Sequence, residues 1–406
     1  MPTQDDVVLR QGQRLPRRHP QLQLHEVEHP VTEAVTGLDL VELQLRVAAG
    51  APLPLTQAAV VLRGHAVEVR VYAEDPAAGF LPTGGRVLAL DEPRDLPGVR
   101  VDSGIAAGFV VGSEYDPMLL KIVAHGADRA EALHRLDAAL RRTVLLGLGT
   151  NIGFLRALLA DPDVRAGNLD TGLVGRRAGE LAKADLPDDV VGLATGIALL
   201  DLEPRSDDGV GGRVVDPFDI PGGWRVGEHA WTTRRVAAAG HDPVEVRSRG
   251  RAASAELVID GGAPLRVSTT ADHRHTQSGI TRGYAVARSD DGVLWVSRDG
   301  LSWAVREQEA LEAAAEEAVG AGGPVLSPMP GTVTVVEVVE GQRVAVGQRL
   351  VAVEAMKMEH VLTAPVDGTV RELRARPGVT VAKDAVLLVV EANASEGQVQ
   401  DGRVSG

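Results

Sequence analysis

Apolar residues change their period several times along the chain, and each change marks a different kind of element. Residues 1–27 show no period and are rich in Gln, Arg and His. His29-Pro30 reads as a loop. Beyond it, Leu40, Leu43 and Val47 fall on one helical stripe with Val41 and Leu45 beside it, and Gly50 and Pro52 stop that helix. Residues 65–72 alternate, with Val67, Val69 and Val71 set against Glu68 and Arg70, which predicts a strand. Pro82 with Gly84-Gly85 predicts a turn. Asp128 and Glu131 have capping-box spacing ahead of Leu133, Leu136 and Leu140 on one helix face. A further helix fits 152–159, so residues 28–160 read as mixed α and β. Residues 161–223 are rich in Gly, Asp and Pro, with one short helix expected at 175–183 and a loop at 206–212. From 224 to 305 short alternating stretches, at 243–246, 255–259, 283–288 and 293–296, predict a small antiparallel barrel or sandwich. One helix over 307–319 and a flexible hinge at 320–324 follow.

The last part of the chain is duplicated. Pro328-Met329-Pro330-Gly331-Thr332-Val333 matches Pro365-Val366-Asp367-Gly368-Thr369-Val370, and Gly341, Val344, Leu350, Val353, Glu354 and Ala355 recur as Gly378, Val381, Leu387, Val390, Glu391 and Ala392. Each half reads as strand, turn, strand, turn, strand. Two halves with one apolar face each predict a flattened barrel with quasi-twofold symmetry, which leaves few open strand edges. The second half runs out to the terminus. The first must turn back, so Lys357 lies at a hairpin tip.

Composition narrows the chemistry. The net charge is −14 over 406 residues, which disfavours nucleic acid or an anionic membrane surface as partner. There is no cysteine, so disulfides, thiolate metal sites and cysteine nucleophiles are excluded. No secretory signal stands at the start, and no apolar run approaches the roughly 18 residues that span a bilayer. A cytoplasmic protein is expected. Only four lysines occur, Lys121, Lys183, Lys357 and Lys383, among 42 basic residues. Where any cation suffices the chain uses Arg. A lysine at an exposed tip is then a candidate for chemistry that needs an amine, such as acylation. With an ordinary pKa of about 10.4 it would be a poor catalyst but a good attachment point. Met356 and Met358, two of five methionines, flank it and suggest a recognised surface.

The Ala355-Met356-Lys357-Met358 string, with the Pro-Met-Pro-Gly-Thr opening at 328–332, resembles the biotinyl domain of biotin-dependent carboxylases across 325–392. The resemblance implies biotin joined by an amide to Lys357, travelling between two active sites at an effective concentration of roughly millimolar. A lipoyl domain shares the architecture, though its lysine usually follows an acidic residue and lacks flanking methionines. Lipoyl carriage stays as a lesser alternative.

Val27-Glu28-His29-Pro30-Val31-Thr32-Glu33, with Arg63-Gly64-His65-Ala66, Ala73-Glu74-Asp75-Pro76, Tyr115-Asp116-Pro117-Met118 and Thr150-Asn151, resembles the C-terminal end of a biotin carboxylase module, an ATP-grasp enzyme. The resemblance implies that Glu28 deprotonates bicarbonate and that Arg100 stabilises the biotin enolate or bicarbonate. A base and a facing cation suit that chemistry. It also implies ATP, bicarbonate and Mg2+ or Mn2+ as cofactors. The family's Glu-Met-Asn-Thr-Arg run, which supplies metal ligands and a bicarbonate arginine, is replaced here by Pro20-Gln21-Leu22-Gln23-Leu24. No Gly-rich phosphate loop substitutes for the ATP-binding half, since Gly209-Val210-Gly211-Gly212 lacks the strand and helix context. Whether the chain is an enzyme by itself is left open, and the expectation is an N-terminally truncated or shifted start.

These readings converge on a multidomain α+β chain. Residues 1–27 are expected to be an atypical N-terminus, 28–185 a biotin carboxylase C-terminal domain, 186–320 a barrel-and-helix domain that docks a β subunit, 321–392 the biotinyl domain and 393–406 a disordered tail. The resemblance implies an α-subunit component of a biotin-dependent acyl-CoA carboxylase of acetyl-, propionyl- or methylcrotonyl-CoA type. Its partners would be a carboxyltransferase β subunit, biotin protein ligase and an acyl-CoA held by the β subunit, within a large hetero-oligomer. The alternative is a non-catalytic carrier and interaction protein. No metal site is expected: His273 and His275 would share a strand face, and a solvated polar face is the simpler reading. Glu316 and Glu317 read as an exposed helix face, and Trp224, Trp231, Trp295 and Trp303 as core packing.

Overall fold

The computed structural model describes residues 29–112, 115–183, 185–203, 225–226, 229–308, 322–355 and 358–392. The readings placed on residues 1–28, the 206–212 loop, Trp224, Glu316, Glu317 and the 393–406 tail fall outside the described residues.

Pro30 opens a helix, Pro30–Thr36, where a loop was expected. At the first helical position the missing N–H is not needed and the fixed φ suits the helix. Asp39 caps the next helix, Leu40–Ala48, by accepting from the Glu42 N–H at 2.8 Å. The His65–Tyr72 strand pairs with Met118–Gly126, which pairs in turn with Val99–Ser103. Helix Arg129–Arg142 covers one face of this sheet and buries Leu133, Leu136 and Leu140 in one core with Val71, Val101 and Ile122. Asp128 accepts from the Glu131 N–H at 2.9 Å, and the Glu131 carboxylate reaches back to the Ala127 N–H at 2.6 Å, one residue short of a strict capping box. The helix expected at 152–159 spans Ile152–Ala160, and the one expected at 175–183 spans Leu173–Leu181.

The middle unit contains a helix that periodicity did not predict, Asp188–Leu202. Nine of its residues, from Val190 to Leu199, are buried on every side, so it has no polar stripe to reveal it. A nine-stranded sheet wraps around it. The order runs from Ile280–Gly283 through Arg274–Gln277, Leu265–Thr269, Ser254–Ile259, Val244–Arg251 and Thr232–Ala238 to Leu301–Gln308, Leu294–Arg298 and Ala285–Arg288. The two outermost strands are joined by one residue, Tyr284, so the sheet must curl until its edges meet. That residue pins the seam to the helix: its hydroxyl donates to Asp189 at 2.8 Å, and Arg298 and Arg282 also pair with Asp189. Burial first, and then the Asp189 carboxylate, push the Tyr284 phenol up to about 12.

Several details differ from expectation. The Leu301–Gln308 strand runs through Glu307 and Gln308, where a helix was expected to begin; the rest of that helix lies outside the described residues. Residues 322–324 belong to a strand, Gly322–Leu326, rather than a hinge. His275 is 1% exposed, not part of a solvated face, because its strand packs against the central helix. Its Nδ1 lies 2.9 Å from the Thr269 hydroxyl and its Nε2 3.3 Å from Gln277. His273 sits in the preceding turn with φ of 57° and does not share that face. Of the tryptophans, only Trp303 among the described residues is in a core cluster; Trp231 instead carries Arg247 and Arg249 over its ring.

The duplicated unit forms two four-stranded sheets, ordered Gly322–Leu326, Val386–Ala392, Gly368–Arg371, Arg343–Val344 and Met358–Thr363, Arg349–Ala355, Gly331–Val336, Thr380–Val381. The 37-residue offset reappears in the pairing. Gly331 pairs with Val381 while Gly368 pairs with Val344, so each half lends a strand to the other half's sheet. Both glycines are forced. A Cβ on Gly331 would lie 2.6 Å from the Glu354 carbonyl oxygen, and one on Gly368 would lie 2.4 Å from that of Glu391.

Gly196 in the central helix decides a sign. Exposed helix glycines are stabilised by Ala, by about 1 kcal/mol. A Cβ on Gly196 would instead lie 1.9 Å from the Thr269 hydroxyl oxygen. Gly196→Ala should therefore destabilise the chain by about 1–3 kcal/mol, as overpacked cores do, with urea denaturation as the measurement. His275 adds a pH dependence. Burial holds its pKa below 6.5, so the native state binds fewer protons than the unfolded chain. Its contribution is present above pH 6.5 and lost as pH falls through the folded pKa. His275→Gln should flatten the decline of stability on the acid side of pH 6.5 in denaturation curves taken across pH.

Candidate functional site

At the carrier end the geometry is set by strand register. Arg349–Ala355 pairs with Met358–Thr363, Glu354 opposite Glu359 and Ala355 opposite Met358. Two residues therefore join the strands, Met356 and Lys357, and both lie outside the described residues. Two-residue hairpin connections favour Asn-Gly or Gly-containing pairs. Met-Lys has neither, so these side chains answer to something other than the turn. Glu354 and Glu359 are exposed, and Met358 is 40% exposed although apolar. Carboxylates facing each other across a pair repel mildly, and nothing in the local packing requires them. Ala355, by contrast, is 2% exposed and anchors the strand end in the core that contains Val353 and Met329.

The twofold relation explains why one hairpin is free. Gly322–Leu326 pairs with Val386–Ala392 in the same register, 37 residues earlier, in which Met358–Thr363 pairs with Arg349–Ala355. At the pole equivalent to the 356–357 connection the chain enters and leaves the unit. The ends of the unit, Gly322 and Ala392, thus stand at the pole opposite Ala355 and Met358.

Arg100 lies on the Val99–Ser103 strand, on the face away from Val101, which points into the core. Its Nη1 is 3.0 Å from Glu33 of the Pro30–Thr36 helix, and its Nε is 2.8 Å from Asp102, two residues along the same strand face. The three side chains are about one-third exposed or less. Partial burial opposes the charged guanidinium, but the Asp102 and Glu33 carboxylates outweigh it and raise its pKa above the ordinary value. Arg100 therefore stays a cation held in a fixed orientation. Glu28, expected beside it, lies outside the described residues. Glu33 was not singled out in the sequence. It comes from a position 67 residues away, brought in by the helix packing on the sheet. Elsewhere in the same unit Glu74 has its pKa raised by burial and then by Asp116. Among the described residues no group of three His, Asp or Glu side chains could hold a metal ion, and no helix is long and apolar enough to cross a membrane.

Comparison with known proteins covers most of the chain. Residues 23–56 match the ATP binding domain of the carbamoyl-phosphate synthase L chain, 68–176 the biotin carboxylase C-terminal domain, 187–310 the BT domain of the methylcrotonyl-CoA carboxylase α subunit and 323–390 the biotin-requiring enzyme family. The mitochondrial methylcrotonoyl-CoA carboxylase subunit α of Mus musculus is 31% identical over 382 residues, covering 91% of this chain and 53% of its own length. The mitochondrial propionyl-CoA carboxylase α chain of Homo sapiens is 34% identical over 90% of this chain and 51% of its own length. A solved biotin carboxylase subunit of pyruvate carboxylase is 35% identical over 40% of this chain and 35% of that one, with a TM-score of 0.38. The chain spans about half the length of the curated relatives it matches. Their names correct the expectation of a cytoplasmic protein, because these relatives are mitochondrial. Lack of a secretory signal and of a spanning helix does not distinguish one aqueous compartment from another. With successive matches to a carboxylase C-terminal domain, a BT domain and a biotinyl domain, and relatives aligned along nine-tenths of it, the chain belongs to the α subunits of biotin-dependent acyl-CoA carboxylases.

Proposed function

We propose that this chain carries biotin on Lys357 and hands a biotin-borne carboxyl group to an acyl-CoA held on a separate carboxyltransferase β subunit. The observation that carries the reading is the hairpin register. Ala355 faces Met358 at one pole of a duplicated unit and leaves Met356 and Lys357 as the connection. An amine there fits a tethered group, because the flanking Glu354, Met358 and Glu359 are open to solvent. When bound, biotin supplies a ureido nitrogen able to accept and release carboxylate. The chain's own residues recognise, orient and protect. Met356 and Met358 give biotin protein ligase an apolar surface to grip. The duplicated unit, 321–392, is a flattened barrel that keeps the lysine away from its tether.

In the first unit, 28–185, Glu28 takes the proton from bicarbonate and Arg100 opposes the negative charge that develops beside it. Glu33 and Asp102 fix the direction of the guanidinium, so little reorganisation is needed when an anion arrives. The middle unit, 186–320, docks the β subunit, and the whole is a hetero-oligomer. ATP and Mg2+ or Mn2+ do not find a matching set here. The metal-ligand run is replaced by Pro20-Gln21-Leu22-Gln23-Leu24, and no three-residue metal cluster occurs among the described residues. No step is assigned to them. That mismatch favours a second reading, in which this chain is a carrier and docking protein and the ATP-dependent step depends on further sequence.

Two experiments separate these readings. Intact mass after co-expression with a biotin ligase should show one added biotin, and Lys357→Arg should abolish it; a lipoyl increment, or biotin retained in Lys357→Arg, overturns the assignment. Arg100→Met, in the chain assembled with an ATP-binding half, should lower bicarbonate-dependent ATP cleavage by about 10²-fold or more and leave Lys357 biotinylation intact. Unchanged cleavage would assign Arg100 a structural role only.

A further inference from the structure

The sheet that carries Arg100 has two faces. Val69, Ile122 and Val101, aligned across its three strands, enter the core under helix Arg129–Arg142. Their neighbours in the chain point the other way, because side chains alternate along a strand. On that second face Arg70, Lys121 and Asp102 stand side by side in one row, and Glu68, Val123 and Arg100 in the next. Helix Pro30–Thr36 brings Glu33 onto the same face.

Ion pairing on this face is uneven. Arg70 Nε is 3.1 Å from Glu68, and Arg100 is held by Asp102 at 2.8 Å and by Glu33 at 3.0 Å. Lys121 is directly opposite Asp102 in the register, yet Asp102 is engaged by Arg100. The Lys121 ammonium has no hydrogen bond or ion pair among the described residues. It is nevertheless partly buried, on the central strand of the sheet.

The charges say what this cation can do. Arg70 and Glu68 cancel. Arg100 faces two carboxylates, so without Lys121 the two rows and Glu33 would carry one net negative charge, and a small anion approaching Arg100 would be repelled. Lys121 brings the face to neutrality and leaves it an unpaired positive group. Lys121 and Arg100 are diagonal neighbours on adjacent strands. That relation separates residues by about 7–8 Å and lets long side chains reach one small ligand together. The residue type fits as well. Four lysines stand among 42 basic residues, so lysine is not the default cation of this chain. A compact ammonium with three donors can meet one oxygen of an anion while a guanidinium on the next strand meets another.

We infer that Lys121 is a second anion-binding residue of the Arg100 site, and that the pair receives one small planar oxyanion, bicarbonate, between adjacent strands. The inference rests on the reading of Arg100 for its catalytic meaning; the anion site itself stands on the register and the unpaired ammonium.

The scarcity of lysine makes the test direct. Full chain isotopically labelled at lysine gives four side-chain NMR signals, and Lys121→Arg identifies the one from residue 121. At constant pH and ionic strength, bicarbonate should move that signal saturably and at least threefold further than chloride does. Nitrate, a planar oxyanion that forms no carbamate with amines, should do the same. The Lys383 signal should stay in place. Arg100→Met should weaken the bicarbonate response about tenfold, the loss expected for a charged hydrogen bond. Unchanged urea transitions establish that the variants fold. In the chain assembled with an ATP-binding half, Lys121→Met should raise the KM for bicarbonate about tenfold, with Lys121→Arg in between, and leave Lys357 biotinylation intact. A Lys121 signal that responds to bicarbonate no more than to chloride overturns the inference. So does a response that nitrate fails to reproduce, one that survives Arg100→Met undiminished, or a bicarbonate KM that Lys121→Met leaves unmoved. If the shared anion response is present but Arg100→Met leaves ATP cleavage unchanged, the anion site stands and the catalytic reading of Arg100 falls instead.

Discussion

The carrier end of this chain is governed by a pairing constraint. Each 37-residue half donates a strand to the sheet of the other, with Gly331 against Val381 and Gly368 against Val344. Neither half can satisfy its backbone groups alone, so the unit exists only as the pair. The strand exchange leaves the two poles unequal. At one, the chain must enter and leave. At the other, Ala355 and Met358 pair and two residues turn the corner. The two ends of the unit, Gly322 and Ala392, lie at the pole opposite Ala355 and Met358, and the backbone carbonyls of Glu354 and Glu391 leave no room for a side chain at Gly331 or Gly368, where the halves exchange strands.

The middle unit solves a different problem. A helix that is apolar all round has to be enclosed, and a sheet whose first and last strands are joined by Tyr284 encloses it. Closely packed small residues bring the helix against the strands at Gly192 and Gly196, and one carboxylate, Asp189, receives the seam through Tyr284, Arg298 and Arg282. A buried carboxylate with several donors is costly to disturb on either side, since removing one partner leaves another uncompensated.

What the sequence revealed and what it hid follow from the range of the interactions. The capped helix at Asp128, the strand at 65–72 and the carrier hairpin depend on residues near one another or on an exact repeat, and all could be read. The Asp188–Leu202 helix was missed because burial on every side erases the 3.6-residue stripe, and because Gly192, Thr195 and Gly196 weaken its helical appearance. His275 was misread for a related reason: alternation tells which residues share a face but not what packs on that face. Arg100 could be matched by resemblance, yet its partner Glu33 depends on a helix laid across a sheet. The first-turn position of Glu33 after Pro30 was the available signal, and it required recognising Pro30 as a helix start.

The same reasoning distinguishes the two amines of the carrier unit. The carrier unit contains two lysines, Lys357 and Lys383, and Lys383 is exposed. An enzyme that recognised only an accessible amine would have no basis for choosing. The surroundings differ in kind. Lys383 is followed by Asp384, whose φ is 62°, in a turn whose backbone is bonded to Ser327. Lys357 lies between two methionines, with Glu354 and Glu359 facing one another across the strands that carry it. Val346 occupies the repeat equivalent of Lys383, so the duplication itself supplies no second copy of either lysine. What distinguishes Lys357 from Lys383 is therefore the hairpin, with its register, its apolar flanks and its pair of carboxylates, rather than the amine alone.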